Sequence, residues 1–376
     1  MGVRWLVDEA WPLWLERGVD WNRRAFHEHL DLATLECGAD FRRLRVAARQ
    51  TYVFSKAAAF GVPRSAEAVA LGLEFLRGPA RLPDGGYAWR FDLDNRPIDR
   101  TRDLYDHAFV LLAFAAAAAV VGAEALRWDA ISLVEYIAIN FRHPQGGYEE
   151  SIPPTLPRRQ NPHMHLLEAL LAADEAFGDE IFFACARNLV DIFLSRLFQT
   201  KEGALPEFFD AALAAVREGG RFQVEPGHHY EWIWLLDWYA KRAIARGMPV
   251  NPDLAIASDS LFAFADRYAV GPDCGLAVNG IWSDGVVRDG SFRVWPQTER
   301  LKAEARRASL ASEHLAAAHR AMAKHFADVR PGLWIERMDA GGHHLNEPAP
   351  ATSLYHLTAA LTDDAVMALA PSAPAI

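Results

Sequence analysis

The sequence predicts an all-α fold, an (α/α)6 barrel with short β-hairpins in its connecting loops. Three observations carry the prediction. A polar or ionisable side chain leads into a long apolar run at intervals of roughly sixty residues. The copies are Asp103-Leu104-Tyr105-Asp106-His107, Asn161-Pro162-His163-Met164-His165, Gly227-His228-His229-Tyr230-Glu231-Trp232, Trp295-Pro296-Gln297-Thr298-Glu299 and Ser353-Leu354-Tyr355-His356. Glycine beside an aromatic or apolar residue recurs at the same interval, in Gly85-Gly86-Tyr87, Gly146-Gly147-Tyr148, Gly203-Ala204-Leu205, Gly275-Leu276-Ala277 and Gly332-Leu333-Trp334. The segments between these markers carry apolar residues at three- and four-residue spacing or are apolar throughout, which is the signature of helices. A shared period of this length means stacked or ring-closed helix pairs rather than one doubly wound sheet.

Taken in chain order, residues 41–59 supply the inner helix of an N-terminal pair, and the pattern then predicts helices over 65–76 and 108–122. The second of these is so apolar that it belongs in a buried inner ring. Its longest apolar stretch, 108–123, falls short of the roughly 20 residues that span a bilayer. Helices over 131–141, 165–177, 180–198, 229–246, 255–268, 299–309, 312–326 and 353–361 complete six pairs. Each unit reads as helix, glycine-containing turn with a short extended stretch, loop, then a second helix. An open solenoid would need polar capping repeats, which the sequence lacks. No glycine- or serine-rich linker divides the chain, so residues 1–376 read as one domain, with a poorly ordered tail after about 362. If the ring closes, the polar helix openings converge on one cavity.

A chain of 376 residues that is 51% hydrophobic and 23% charged can bury a large core. Its net charge of −10 offers no footprint for nucleic acid, and no basic run addresses an anionic membrane. The three cysteines, Cys37, Cys185 and Cys274, are scattered and lack a CxxC pair, which fits a reducing compartment. The N-terminus has no apolar leader region, so the cytoplasm is the expected location. A small polar ligand is the expected partner, and self-association is left open.

His228 and Glu231 stand three apart at a helix opening, which places both on one face and turns His229 away. His165 and His356 occupy comparable places, and near-neutral side chains converging there suit general acid/base work. Each taken alone reads equally as a capped helix with a satisfied histidine. His163 and His165 diverge on a helix, and His165 is the one expected to face inward. No HExxH-like signature marks a metal site, and none is expected. Glu231 and Glu299 could be paired carboxylates for glycoside hydrolysis, or could orient sugar hydroxyls. Glu299 could also simply favour a helix N-terminus. Arg49 lies in an otherwise apolar helix and needs a partner or a polar cavity, unless it joins Arg42, Arg43 and Arg45 in solvent. Trp89, Tyr105, Trp232 and Trp295 lie near these positions, and aromatic rings can cover the apolar face of a sugar.

Arg45-Val46-Ala47-Ala48-Arg49-Gln50 together with the last four polar openings resembles the N-acylglucosamine 2-epimerase superfamily over nearly the whole chain. The resemblance implies a metal-independent, cofactor-free (α/α)6 barrel acting on the C1–C2 end of a small sugar. It implies catalytic histidines at His228 and His356 with His165 assisting, and sugar contacts from Arg49, Tyr105, Asn161, Glu231, Trp295 and Glu299. The Trp295-Pro296-Gln297-Thr298-Glu299 form is similar to the mannose isomerase branch, whereas epimerases more often carry a double tryptophan where this chain has Val294-Trp295. Some isomerases place glutamine four residues before the last histidine, where this chain has Thr352. The expectation is an aldose–ketose isomerase working through a cis-enediolate on D-mannose, with a 2-epimerase or a non-catalytic sugar-binding protein as alternatives.

Overall fold

A computed structural model describes residues 2–271, 274–307 and 312–369. Among them the helices form two concentric rings, as predicted. The inner ring comprises α2 (Leu44–Ala59), α4 (Leu104–Val121), α6 (Gln160–Phe177), α8 (Pro226–Ala245), α10 (Val294–Arg307) and α12 (Ala351–Leu361). The outer ring comprises α1 (residues 3–17, with a π turn at Leu6–Ala10), α3 (Ser65–Arg77), α5 (Arg127–Asn140), α7 (Glu180–Ile192), α9 (Asp253–Ala269) and α11 (Ser312–Ala323). Each inner helix packs on the next, and α12 packs on α2, so the ring is closed. The N-terminal helix covers the closure, where Trp11 Nε1 donates to Thr358 Oγ1 at 3.2 Å.

Short antiparallel ladders run around one rim. Two residues just ahead of each inner helix pair with an extended stretch of a neighbouring loop: Arg42–Arg43 with Arg90–Phe91, Arg102–Asp103 with Ser151–Ile152, and Arg158–Arg159 with Phe208–Phe209. The pattern continues with Gln223–Val224 on Ile281–Trp282 and Phe292–Arg293 on Arg337–Met338, and Ala349–Pro350 closes it on His29–Leu30. The ladders satisfy backbone groups that would otherwise be stranded at buried helix starts. The first N–H of α2, α4, α6, α10 and α12 goes to the carbonyls of Trp89, Glu150, Glu207, Glu336 and Glu28 respectively. The remaining inner helix, α8, begins at Pro226, which has no N–H to place.

The inner helices after α2 begin two to five residues earlier than their apolar periodicity predicts. Their first turns carry the polar side chains of the recurrent motif, and these face either the cavity or the rim loops. Hydrophobic spacing therefore becomes visible only one turn in. The 18 residues of α4, long and apolar enough to cross a membrane by composition, are 72% buried inside the barrel wall. The tail expected to be irregular after 362 instead forms α13 (Asp364–Leu369). Asp363 nucleates it by accepting from the N–H groups of Ala365 and Val366 while pairing with Arg306 at 2.7 Å. The end of the helix predicted over 299–309, and the rest of the tail from 370, lie outside the described residues.

Gly72 in α3 marks a close contact between the rings. A Cβ there would lie 2.0 Å from Thr51 Oγ1 and 3.1 Å from Thr51 Cβ, and that hydroxyl is tied to Ala47 O at 2.8 Å. Gly72→Ala should therefore lower stability by about 1–3 kcal/mol, read as a fall in the urea midpoint. Adding Thr51→Ala should recover most of the loss, and failure to recover would show that the contact is not the cause.

Candidate active site

Three histidines on three inner helices approach one another at the rim end of the barrel, each with Nδ1 on a carboxylate. His165 Nδ1 lies 3.0 Å from Glu168 Oε2, and the Tyr355 hydroxyl donates to the other oxygen of that glutamate. His228 Nδ1 lies 2.9 Å from Glu207 Oε1, and His356 Nδ1 lies 2.8 Å from Glu299 Oε1. A carboxylate at Nδ1 favours the tautomer with its proton there, which leaves Nε2 as the nitrogen able to act on a ligand. The Trp295 ring joins the set, 4.9 Å from the ring of His228 and 5.6 Å from that of His356. His356 in turn lies 6.4 Å from His165. Gly227 makes room for this tryptophan, since a Cβ there would meet its Cζ3 at 2.4 Å.

Arg49 is buried, as the cavity reading of its helix requires. It donates to Thr352 O at 3.2 Å and to the Tyr105 hydroxyl, and its guanidinium lies 4.1 Å from the centre of the Phe109 ring. Because it meets Thr352 through the main chain, this contact does not depend on the side chain at 352. Glu231 is buried with no hydrogen-bond partner at either carboxylate oxygen, and Asn161 Oδ1 is likewise unpartnered. The nine residues singled out by sequence thus fall on six inner helices around one centre, with unsatisfied acceptors that a polar ligand would complete.

Charge is distributed unevenly across this small volume. Burial, aided by the nearby Arg49 charge, pushes His356 down to about 3 and His165 down to about 4, despite their carboxylate partners. Both rings are neutral at pH 7. Burial also opposes protonation of His228, but the carboxylates of Glu207, Glu225 and Glu231 outweigh it and hold the ring up at about 9. Burial likewise works against ionisation of Glu299, yet the Lys302 ammonium at 2.7 Å and the bond from His356 keep it low, at about 2. Glu231 has no cation bonded to it. Burial and the neighbouring Glu299 and Glu168 charges push it well above the ordinary carboxylate range, against the Lys302 and His228 charges.

The other histidines of the repeat serve the fold. His107 Nε2 accepts from Tyr87 N at 3.1 Å, His163 Nε2 from Tyr148 N at 3.1 Å, and His229 Nε2 from Leu205 N at 3.0 Å. Gln297 takes the same place in its unit, accepting from Ala277 N at 2.9 Å. This corrects the expectation that every polar helix opening lines the cavity. Neighbouring positions in one turn point in different directions, so His107 secures its glycine loop while Tyr105 meets Arg49.

Four partners escaped the sequence reading: Glu168, Glu207, Gln160 and Lys302. A signal for Glu207 was present. The position four residues after the first glycine of each recurrent turn is Trp89, Glu150, Glu207, Asn279 or Glu336, so an acidic residue repeats there. Arg158 and Arg159, the pair of arginines just before α6, are engaged within the rim loops. Arg158 donates to the carbonyls of Gly146 and Tyr148, and Arg159 pairs with Glu150.

His165, Glu168 and Glu231, and separately Glu231, Glu299 and His356, hold potential ligand atoms within 4.8 Å of one another. In both groups the carboxylates other than Glu231 already serve protein donors, and Lys302 supplies the countercharge at Glu299. A divalent ion would have to displace these contacts.

Buried imidazoles on carboxylates, poised in different protonation states inside a closed helical barrel, define an acid/base enzyme of the sugar-processing (α/α)6 class. The family profile for N-acylglucosamine 2-epimerase matches residues 26–360, and the chain belongs to that family. It is 38% identical to a mannose-6-phosphate isomerase of Rhizobium meliloti (strain 1021) over 95% of this chain and 94% of the relative. It is 29% identical to a D-mannose isomerase of Thermobifida fusca over 69% of each. Among solved structures, a D-mannose isomerase superposes with a TM-score of 0.84 at 20% identity, covering 96% of both chains. A cellobiose 2-epimerase from Spirochaeta thermophila superposes at 0.85 and 22% identity, covering 98% of this chain and 95% of that one. These superpositions establish the fold.

Burial pushes His163 down to about 4, below the ordinary 6.5, so its folded form favours the neutral ring. Its contribution to stability is complete above pH 6.5 and is lost as pH falls toward 4. His163→Gln, which borrows the solution used at Gln297, should leave stability at pH 7.5 within about 1 kcal/mol. It should also reduce the slope of unfolding free energy between pH 6 and 4.5 by about 1.4 kcal/mol per pH unit. Equal slopes in denaturant titrations of the two proteins would refute the assignment.

Proposed function

We propose that the protein is an aldose–ketose isomerase that interconverts D-mannose and D-fructose by proton transfer. The observation that carries this reading is the charge split among the three site histidines, with His356 neutral and His228 cationic at the same pH. The names of the relatives at 38% and 29% identity support the choice of a mannose-type substrate. With the sugar ring open, His356 Nε2 takes the C2 proton while imidazolium His228 protonates O1, giving a cis-enediol. His356 then returns its proton to C1 as His228 recovers one from O2, which leaves a C2 ketone and restores both rings. Arg49 stabilises negative charge as it develops on oxygen, and Glu231 and Asn161 bind hydroxyls. His165, neutral and beside His356, assists ring opening.

The relative named for mannose 6-phosphate gives a second substrate to test. The engagement of Arg158 and Arg159 within the loops favours the unphosphorylated sugar. NMR of D-mannose and mannose 6-phosphate, each incubated with the protein in D2O containing EDTA, separates the readings. Fructose formation establishes the isomerase, whereas glucose appearing first with deuterium at C2 establishes a 2-epimerase. Turnover of the phosphate ester alone would overturn the choice of D-mannose. Activity should survive EDTA, and a loss restored by zinc would reject the metal-independent mechanism.

His356→Ala and His228→Ala should each lower kcat by roughly 10²-fold or more. Near-normal turnover in either folded variant would remove that residue from the chemistry.

A further inference from the structure

Glu207 occupies a position that recurs around the rim, yet it meets a different group there. Glu28, Glu150 and Glu207 each tie two consecutive inner helices together. The main-chain carbonyl accepts the first N–H of one helix, from Ala351, Leu104 and Gln160 respectively. The carboxylate accepts the N–H of the residue capping the next helix, from Arg43 at 2.6 Å, Arg159 at 2.9 Å and Glu225 at 3.3 Å. Glu28 and Glu150 spend their remaining acceptor capacity on the guanidinium groups of Arg43 and Arg159. The corresponding cap at α8 is an acid, Glu225, so no arginine is supplied. The cation that fills the place is the ring of His228, with Nδ1 2.9 Å from Glu207 Oε1.

The carboxylate is itself held in orientation. Gln160 Nε2 lies 3.2 Å from Glu207 Oε2, and Gln160 Oε1 accepts from Trp232 Nε1 at 2.7 Å. Glu207 is only 3% exposed, so its charge acts on His228 with little screening by water. Glu225 Oε2 is farther from the ring, at 3.7 Å, and its side chain is partly open to solvent.

We propose that Glu207 is a positioning residue for His228, holding the Nδ1 proton so that Nε2 is presented to the substrate and the ring remains in its acid form. A rim carboxylate that closes the barrel in other units is, in this unit, also part of the catalytic apparatus. The inference rests on the reading of His228 as the group that moves a proton between substrate oxygens. A buried imidazolium without a paired anion would release its proton, so removal of the Glu207 charge should convert His228 from acid to neutral ring in the working pH range. The direction of the effect on His228 agrees with this, since Glu207 is foremost among the groups that raise it against burial.

The test is Glu207→Gln beside Glu150→Gln, its counterpart at an arginine-paired rim position. In Glu207→Gln, kcat should fall by about 30-fold or more with KM changed less than about threefold, and the alkaline limb of the kcat profile should move down by at least about one pH unit. Glu150→Gln should leave that limb in place. Titration of the His228 ring by NMR in histidine-labelled protein without sugar should show the same downward movement in Glu207→Gln. That measurement keeps its meaning even if mannose proves to be the wrong substrate. Should the glutamine variant fail to fold, Glu207→Asp preserves the charge at a longer distance, and it should lower kcat while keeping most of the His228 titration high. An unchanged His228 titration in a folded Glu207→Gln, an equal limb shift in Glu150→Gln, or a His228 titration at the ordinary histidine value in Glu207→Asp would each overturn the proposal.

Discussion

The site is organised around one buried anion. Glu299 sits in the second turn of α10, wholly removed from water, where an isolated carboxylate would cost several kcal/mol. Three donors from three inner helices offset that cost: Lys302 Nζ one turn along the same helix, Trp234 Nε1 from α8 at 2.8 Å, and His356 Nδ1 from α12. Two consequences follow. His356 must keep its proton on Nδ1, so its other nitrogen is a base. Lys302 is committed to Glu299, and Glu231, whose carboxylate shares the same small volume, is pushed well above the ordinary carboxylate range by burial and the Glu299 charge, with no hydrogen-bond partner on either oxygen. A structural carboxylate held low and a second one held high with free oxygens therefore lie side by side, with the ammonium group placed against the first.

At the rim, the backbone groups of the inner helix starts are satisfied. The short ladders and the clasps of Glu28, Glu150 and Glu207 take up the backbone at the helix starts. His107, His163, His229 and Gln297 then fasten the glycine turns to the helices behind them. A histidine in one register secures a loop, while one a residue or two away meets a glutamate carboxylate. His228 and His229 are adjacent, yet carboxylates that outweigh burial hold one up at about 9 while burial pushes the other down to about 4. Residue type alone carries little functional information in such a repeat; position within the turn carries most of it.

This explains what could be read from the sequence. The period of the glycine turns and polar openings identified the closed helical barrel, since each unit needs its neighbours to bury its apolar face. The divergence of His163 from His165 and of His228 from His229 followed from helical geometry. Helix starts were misplaced by up to five residues because the inward polar residues interrupt the apolar period. Glu168 and Lys302 were missed for a related reason: each lies one turn beyond its motif, on a helix already assigned to the core, and each is there to neutralise a neighbour rather than to meet solvent. Glu207 was missed because its partner histidine is remote in sequence, although its place in the glycine repeat distinguished it. The tail after 362 looked irregular because its helix is short and depends on the cap from Asp363.

Moving a hydrogen between adjacent carbons at neutral pH requires an acid and a base at the same moment, and two identical imidazoles in identical surroundings would supply one of these poorly. A six-fold repeat tends toward identical surroundings. The departure from symmetry comes through the carboxylates: His228 faces several with no competing cation against its ring, whereas the carboxylate of His356 is already neutralised by Lys302, and Arg49 adds positive charge nearby. The same pairing motif, Nδ1 on a glutamate, thus holds a ring up in one unit and leaves it low in another, the difference on which the proposed acid and base roles rest. The difference is set by where the positive side chains lie, and these sit on the inner helices, so it is fixed before a sugar enters.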